Sequence, residues 1–159
     1  MAHLLEPLIE GFYSLVPREA LQVLNLNGAT LRLAVCGSLE VDVAGAVRAA
    51  AKYSGSASAD SPSVRWMWEV LGEQPPGVRH ALWVFVSGTD GLPAGGAECA
   101  PLKVIGVPRV VAPGSSKPQL LHAHTCFICV ELPEYETREE TKVALLASLA
   151  FGMDFGQLA

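Results

Sequence analysis

The chain has few charges, few aromatic residues and no long apolar run. Of its 159 residues, 17% are charged and 7% aromatic, while half are hydrophobic. Its 11 basic residues are scattered and outnumbered by 16 acidic ones, giving a net charge of −5. A nucleic-acid surface needs clustered Lys and Arg, so the composition argues against that class. The longest apolar run, Val143 to Phe151, falls well short of the ~20 residues that span a bilayer, which argues against a membrane-spanning segment. The first residues, Met1-Ala2-His3-Leu4-Leu5-Glu6, carry no basic segment and no cleavage pattern of a secretory leader. A reducing setting, cytoplasmic or nuclear, is the expectation. Cys36 and Cys99 stand alone in apolar surroundings, where cysteine acts as a small buried hydrophobe. A chain of this size can bury one sizeable core, or two small ones joined by a hinge.

What is present reads as a mixture of helices and short strands. Leu4, Leu5, Leu8, Ile9, Phe12 and Val16 fall at helical spacing ahead of Pro17. Thr30 to Val35 is compatible with strand or helix, and Asp42 is placed to cap a helix running to Ala51. Ser54 to Ser63, rich in Ser, Gly and Ala, has the chemistry of a linker that ends as a helix start. Val64, Met67, Trp68 and Leu71 then form one helical face and Val78, Leu82, Phe85 and Val86 another, with Pro75-Pro76 between. Leu102 to Val107 and Phe127 to Leu132 read as strands, separated by a Pro-, Gly- and Ser-containing loop from Val110 to Gln119. Thr137 and Glu140 have the spacing of a capping box before Val143 to Phe151, with Gly152 as the expected stop. The order predicts an α+β domain behind a short helical segment.

Chemistry centres on the run His122-Ala123-His124-Thr125-Cys126-Phe127. Cys126 falls between a loop and a strand, where a thiolate can be approached. An ordinary cysteine of pKa ~8.5 is only ~3% thiolate at pH 7, so His124 and Thr125 are candidates to support it. Cys126 and Cys129 also form a CxxC, and with His122 and His124 a set of zinc ligands by residue type. A strand would send the two sulfurs to opposite faces, and a redox pair belongs at a helix N-terminus. No metal is therefore expected, and Cys129 is assigned to the core. His122, like His3 and His80, is expected to be solvent-facing. Trp66, Trp68 and Trp83 are expected in packing, and Glu134, Glu136, Glu139 and Glu140 at a solvated helix entrance.

His124-Thr125-Cys126-Phe127, with Leu132-Pro133-Glu134-Tyr135 beyond it and a closing Phe155-Gly156-Gln157-Leu158-Ala159, resembles the active-site end of HECT-type ubiquitin ligases. Weaker pieces occur in the family's order upstream: Gly11-Phe12 with Val16-Pro17, Val35-Cys36-Gly37, Val41-Asp42-Val43, Tyr53-Ser54-Gly55, Trp66 to Leu71, and Phe85 to Asp90 with Pro93 and Gly95-Gly96. Together they cover nearly the whole chain. The sequence departs from the pattern at Gly91, where the family has Arg, at Leu121 in place of Pro, and at Ile128 in place of the Asn after Cys-Phe.

The resemblance implies a fold in which residues 1–53 end the family's larger lobe, 54–60 form the interlobe hinge, and 61–159 form the smaller lobe, helices around a small β-sheet. It implies that Cys126 accepts ubiquitin from a ubiquitin-conjugating enzyme as a thioester and passes it to a lysine of a protein substrate, without a cofactor. Phe155 matches the tail phenylalanine that positions the closed arrangement. Asp154, the carboxylate of Ala159 and Glu131 are the candidates to orient the lysine and take its proton. The lobe that recruits the conjugating enzyme lies upstream in the family, so the chain is expected to be the last part of a catalytic unit. The competing expectation from another class is a binding module for ubiquitin or a partner in which Cys126 is idle.

Overall fold

The structure is a computed structural model that describes residues 2–110 and 117–156, with the backbone alone for 2–4 and 153–156. Contacts divide the chain into two units, Met1–Gly37 and Ser38–Ala159. The first holds α1 (Ala2–Leu15), α2 (Arg18–Val23) and α3 (Gly28–Cys36). The ambiguous stretch Thr30 to Val35 is helical for local reasons. Asn27 accepts hydrogen bonds from the amides of Ala29 and Thr30 at 2.9 and 3.0 Å, and Gly37 ends the helix at φ 75°. Leu5, Leu8, Ile9 and Leu15 of α1 are exposed.

The second unit begins with a π-helical turn, Val43–Val47, continued by α4 (Arg48–Ala50). Asp42 caps it as expected, accepting from the amides of Gly45 and Ala46. Then follow β1 (Lys52–Gly55), α5 (Pro62–Gly72), α6 (Pro76–Ser87), α7 (Gly96–Cys99), β2 (Lys103–Val107), β3 (His122–His124), a 3-10 turn (Thr125–Phe127), β4 (Cys129–Pro133) and α8 (Arg138–Gly156). The strands lie in the order β1-β2-β4-β3. β1, β2 and β4 are parallel, and β3 runs antiparallel to β4 at the edge. This is the α+β class expected, with α8 packed on α5 and α6. The core gathers Met67, Leu71, Leu82, Trp83, Val86, Leu102, Val104, Leu132 and Leu145, each 0–1% exposed. A fully buried side chain of this kind contributes about 1.5–3 kcal/mol.

Several expectations are corrected. Ser54 and Gly55 are paired with Ile105 and Gly106 in β1, so the stretch from Ser54 to Ser63 that reads as linker begins as sheet. Gly152 does not stop α8, which runs to Gly156; it is small because a Cβ there would lie 2.7 Å from Cδ2 of Phe85. Cys36 and Cys99 are exposed, one at the last residue of α3 and the other on the single turn of α7. His80 is tied to the carbonyl of Asp90 at 2.7 Å rather than left to solvent. Trp68 and Trp83 are buried, donating to Tyr53 and to the Gly91 carbonyl, while Trp66 is half-buried. The acidic run is not simply solvated, because Arg109 bridges Glu136 and Glu140 at 2.8 and 2.7 Å. The capping box forms half as drawn: Thr137 accepts from the Glu140 amide, but Glu140 reaches back to the amide of Glu136.

Candidate functional site

β3 and β4 are joined by a turn only a few residues long, and Cys126 is its central residue. The turn is closed by the amide of Ile128 donating to the Thr125 carbonyl at 3.3 Å. Ile128 has φ 48° and ψ 58°, a left-handed conformation that a β-branched residue adopts at a cost of about 1–2 kcal/mol. The departure from Asn at this position therefore falls where Asn would be more at ease. The Ile128 side chain packs against the core, and its carbonyl accepts from the Lys103 amide at 2.9 Å. These contacts hold the turn closed despite the strain.

The segment entering the site is fixed from two sides. Ser148 of α8, buried, accepts from the Leu121 amide at 2.9 Å and donates to the Ala144 carbonyl at 2.7 Å. Tyr135, just past β4, donates its hydroxyl to the Gln119 carbonyl at 2.6 Å. Burial, and secondarily Glu140, pushes that phenol well above the ordinary tyrosine range, so it stays protonated and donating. The tyrosine of Leu132-Pro133-Glu134-Tyr135 thus positions the strand that leads to Cys126.

Cys126, Thr125 and Phe127 are exposed, Phe127 at 68%. Cys129 is 3% exposed, and burial, followed by the nearby Glu131 and opposed by Lys103, pushes its thiol up. The two cysteines differ in exposure, Cys126 open and Cys129 buried, and they do not share one strand. Cys126 belongs to the 3-10 turn, and the left-handed Ile128 separates it from Cys129 at the start of β4. His124 lies at the end of β3, where its Nε2 is 3.0 Å from Oε1 of Glu131. His122, directly opposite Glu131 in the ladder, brings its Nδ1 to 3.9 Å from Oε2 of the same carboxylate. Glu131 is thus gathered with the two histidines. The side chains of Asp154 and Phe155 and the carboxylate of Ala159 lie outside the described residues. No helix of the described residues is long and apolar enough to cross a membrane.

Fold and turn define an α+β unit that carries one solvent-facing cysteine between two antiparallel strands, with the entering segment held by α8. The sequence profile of the HECT-domain (ubiquitin-transferase) family matches residues 1–157. Among curated proteins, the chain is 29% identical over 148 residues to the probable E3 ubiquitin-protein ligase HUL4 of Eremothecium gossypii, covering 92% of this chain and 17% of that protein. It is 32% identical over 145 residues to the E3 ubiquitin-protein ligase UPL1 of Arabidopsis thaliana (89% and 4%). It is 33% identical over 133 residues to the human E3 ubiquitin-protein ligase NEDD4 (82% and 10%). The chain belongs to the HECT-domain family of ubiquitin ligases. It spans less than a fifth of the length of each of these relatives.

Proposed function

We propose that Cys126 carries ubiquitin as a thioester between a ubiquitin-conjugating enzyme and a lysine of a protein substrate. The observation that carries this reading is the exposure of Cys126 on the turn of the His124 to Phe127 motif, while the neighbouring thiol of the CxxC is buried. In the first step the Cys126 thiolate attacks the ubiquitin carbonyl. A new C–S bond forms, the bond to the conjugating enzyme's sulfur breaks, and that thiolate leaves. In the second step a lysine nitrogen attacks the same carbonyl, forming the amide and returning Cys126 as thiolate. Splitting the transfer replaces one difficult step by two easier ones.

The attacking amine must be neutral, which at pH 7 costs about 4.6 kcal/mol for a lysine of pKa ~10.4. A carboxylate that orients the ammonium and takes its proton lowers this cost. Glu131 and Asp154 are the carboxylates proposed for this, with His124 and Thr125 supporting the thiol and Phe155 ordering the segment after α8's last turns. Recruitment of the conjugating enzyme is assigned to a larger lobe upstream, and lobe rotation about the hinge at residues 54–60 lets Cys126 meet two partners in turn. The cell compartment that fits this chemistry is the cytoplasm or nucleus.

The test is incubation of a catalytic unit completed with its larger lobe, together with activating enzyme, conjugating enzyme and ubiquitin, followed by a non-reducing gel. Cys126→Ala should abolish the thiol-reducible ubiquitin adduct and Cys129→Ala should retain it. The reverse pattern refutes the assignment. Absence of any adduct on intact protein favours a binding module.

A further inference from the structure

His122, His124 and Glu131 form a cluster that the transfer chemistry does not require as a unit. Their ligand atoms all lie within 4.8 Å of one another. The grouping follows from strand geometry. His122 and His124 are two apart on β3 and share a face, with ring centroids 4.6 Å apart and planes at 88°. Register sets Glu131 directly across from His122, and a long side chain reaches the diagonal neighbour as well. One carboxylate thereby spans both imidazoles, at 3.0 Å from His124 Nε2 and 3.9 Å from His122 Nδ1.

We propose that these three residues bind a divalent transition metal of the zinc class. Around a tetrahedral zinc with bonds of ~2.0–2.1 Å, ligand atoms sit roughly 3.3 Å apart. The two measured separations run to different oxygens of Glu131, and with one atom per residue the three lie within 4.8 Å of one another, so rotamer changes that draw them together would complete three ligand positions. His122, with its side chain 69% exposed, is free to make the larger adjustment. Two imidazoles and one carboxylate suit zinc, copper or nickel, whereas magnesium and calcium prefer oxygen ligands. The fourth position faces solvent at the edge of the sheet and is left to water or an external donor. The sequence alone leads to no metal being expected, and this set differs from the His and Cys set that residue type offers, because Glu131 takes the place of the cysteines. Cys129 is buried two register positions along, opposite His124, and Cys126 stands on the turn beyond.

The metal site does not depend on ubiquitin transfer, so it is read by direct binding. Zinc is titrated into the intact chain in competition with a chromophoric chelator, with wild type, His122→Gln, Glu131→Gln and Cys126→Ala compared. Wild type is expected to bind one zinc with a dissociation constant on the order of ten micromolar or tighter. His122→Gln and Glu131→Gln should each weaken it by at least about tenfold, Cys126→Ala should leave it unchanged, and magnesium should not compete. Cobalt loaded in place of zinc should show no sulfur-to-metal charge-transfer band. Binding weaker than about a millimolar, or binding indifferent to both His122→Gln and Glu131→Gln, or binding lost in Cys126→Ala with a thiolate band in the cobalt form, overturns the proposal. Both substituted side chains are at least partly exposed, and Glu131→Gln preserves shape, so two variants test the site if one folds poorly.

Discussion

Gly55 and Gly106 face each other across the β1–β2 ladder, and neither has room for a side chain. A Cβ on Gly55, which has φ 66°, would meet the Gly106 carbonyl oxygen. One on Gly106 would meet the Ala57 amide and lie 2.7 Å from the carbonyl carbon of Ser56. The obstacles are backbone atoms, which cannot rotate away. This close approach lays the chain from β1 to Ala57 along the sheet, so the stretch that reads as linker is anchored where it begins.

Gly106→Ala should therefore lower unfolding stability by about 1–3 kcal/mol, the range for overpacking against atoms that must shift. Gly72→Ala is the control, since nothing lies within 4 Å of a Cβ there. In the helical α5 it should be neutral or stabilising by up to about 1 kcal/mol. Urea unfolding of both variants decides the matter. Equal stability of Gly106→Ala and wild type would mean the approach is looser than described.

Among the described residues, every hydrophobic side chain of the core cluster lies between Val43 and Leu149. Residues 38–159 expressed alone should therefore fold. The expected outcome is a single denaturant transition, coincident by far-ultraviolet circular dichroism and by the fluorescence of Trp66, Trp68 and Trp83. Non-coincident transitions would show that residues 38–159 do not form one cooperative unit on their own.

The helices α5 and α6 were legible because their apolar residues repeat at helical spacing, and the same residues are buried by long-range packing. Thr30 to Val35 lacks such a repeat, and only its flanking Asn27 and Gly37 settle it as helix. Gly152 misleads because a stop signal is read locally, while its real constraint is Phe85, far away in sequence. The Cys126 motif was legible as a contiguous string matching a family. The His122, His124 and Glu131 cluster was not, because strand register across a turn decides it, and the left-handed Ile128 in that turn has no signal in composition or period.

Thiol chemistry should separate the four cysteines by exposure. Cys36, Cys99 and Cys126 are open to solvent and Cys129 is buried. A maleimide reagent on native protein should label the first three rapidly. Cys129 should wait for local opening, at least about a hundredfold slower if it belongs to the stable part of the sheet. Peptide mapping by mass spectrometry reads each site, and labelling of Cys129 at the rate of Cys126 would contradict the burial.

Tyr135 joins stability to the position of Cys126, since its hydroxyl holds the Gln119 carbonyl shortly before β3. Tyr135→Phe removes one hydrogen bond of a half-buried pair and should cost about 1 kcal/mol at neutral pH. The pH dependence gives a second reading. Burial raises the phenol above the unfolded value, which is about 10. The stability linked to the protonated phenol is fully present below that pH, and it is lost as pH rises toward the folded value, because the unfolded chain ionises first. Wild type should therefore lose stability more steeply than Tyr135→Phe above about pH 10, and the gap between them should narrow. Denaturant midpoints measured from neutral to alkaline pH test both parts. A gap that stays constant through the alkaline range would show that the tyrosine hydroxyl is not held in the buried, donating state that secures the entry to the turn.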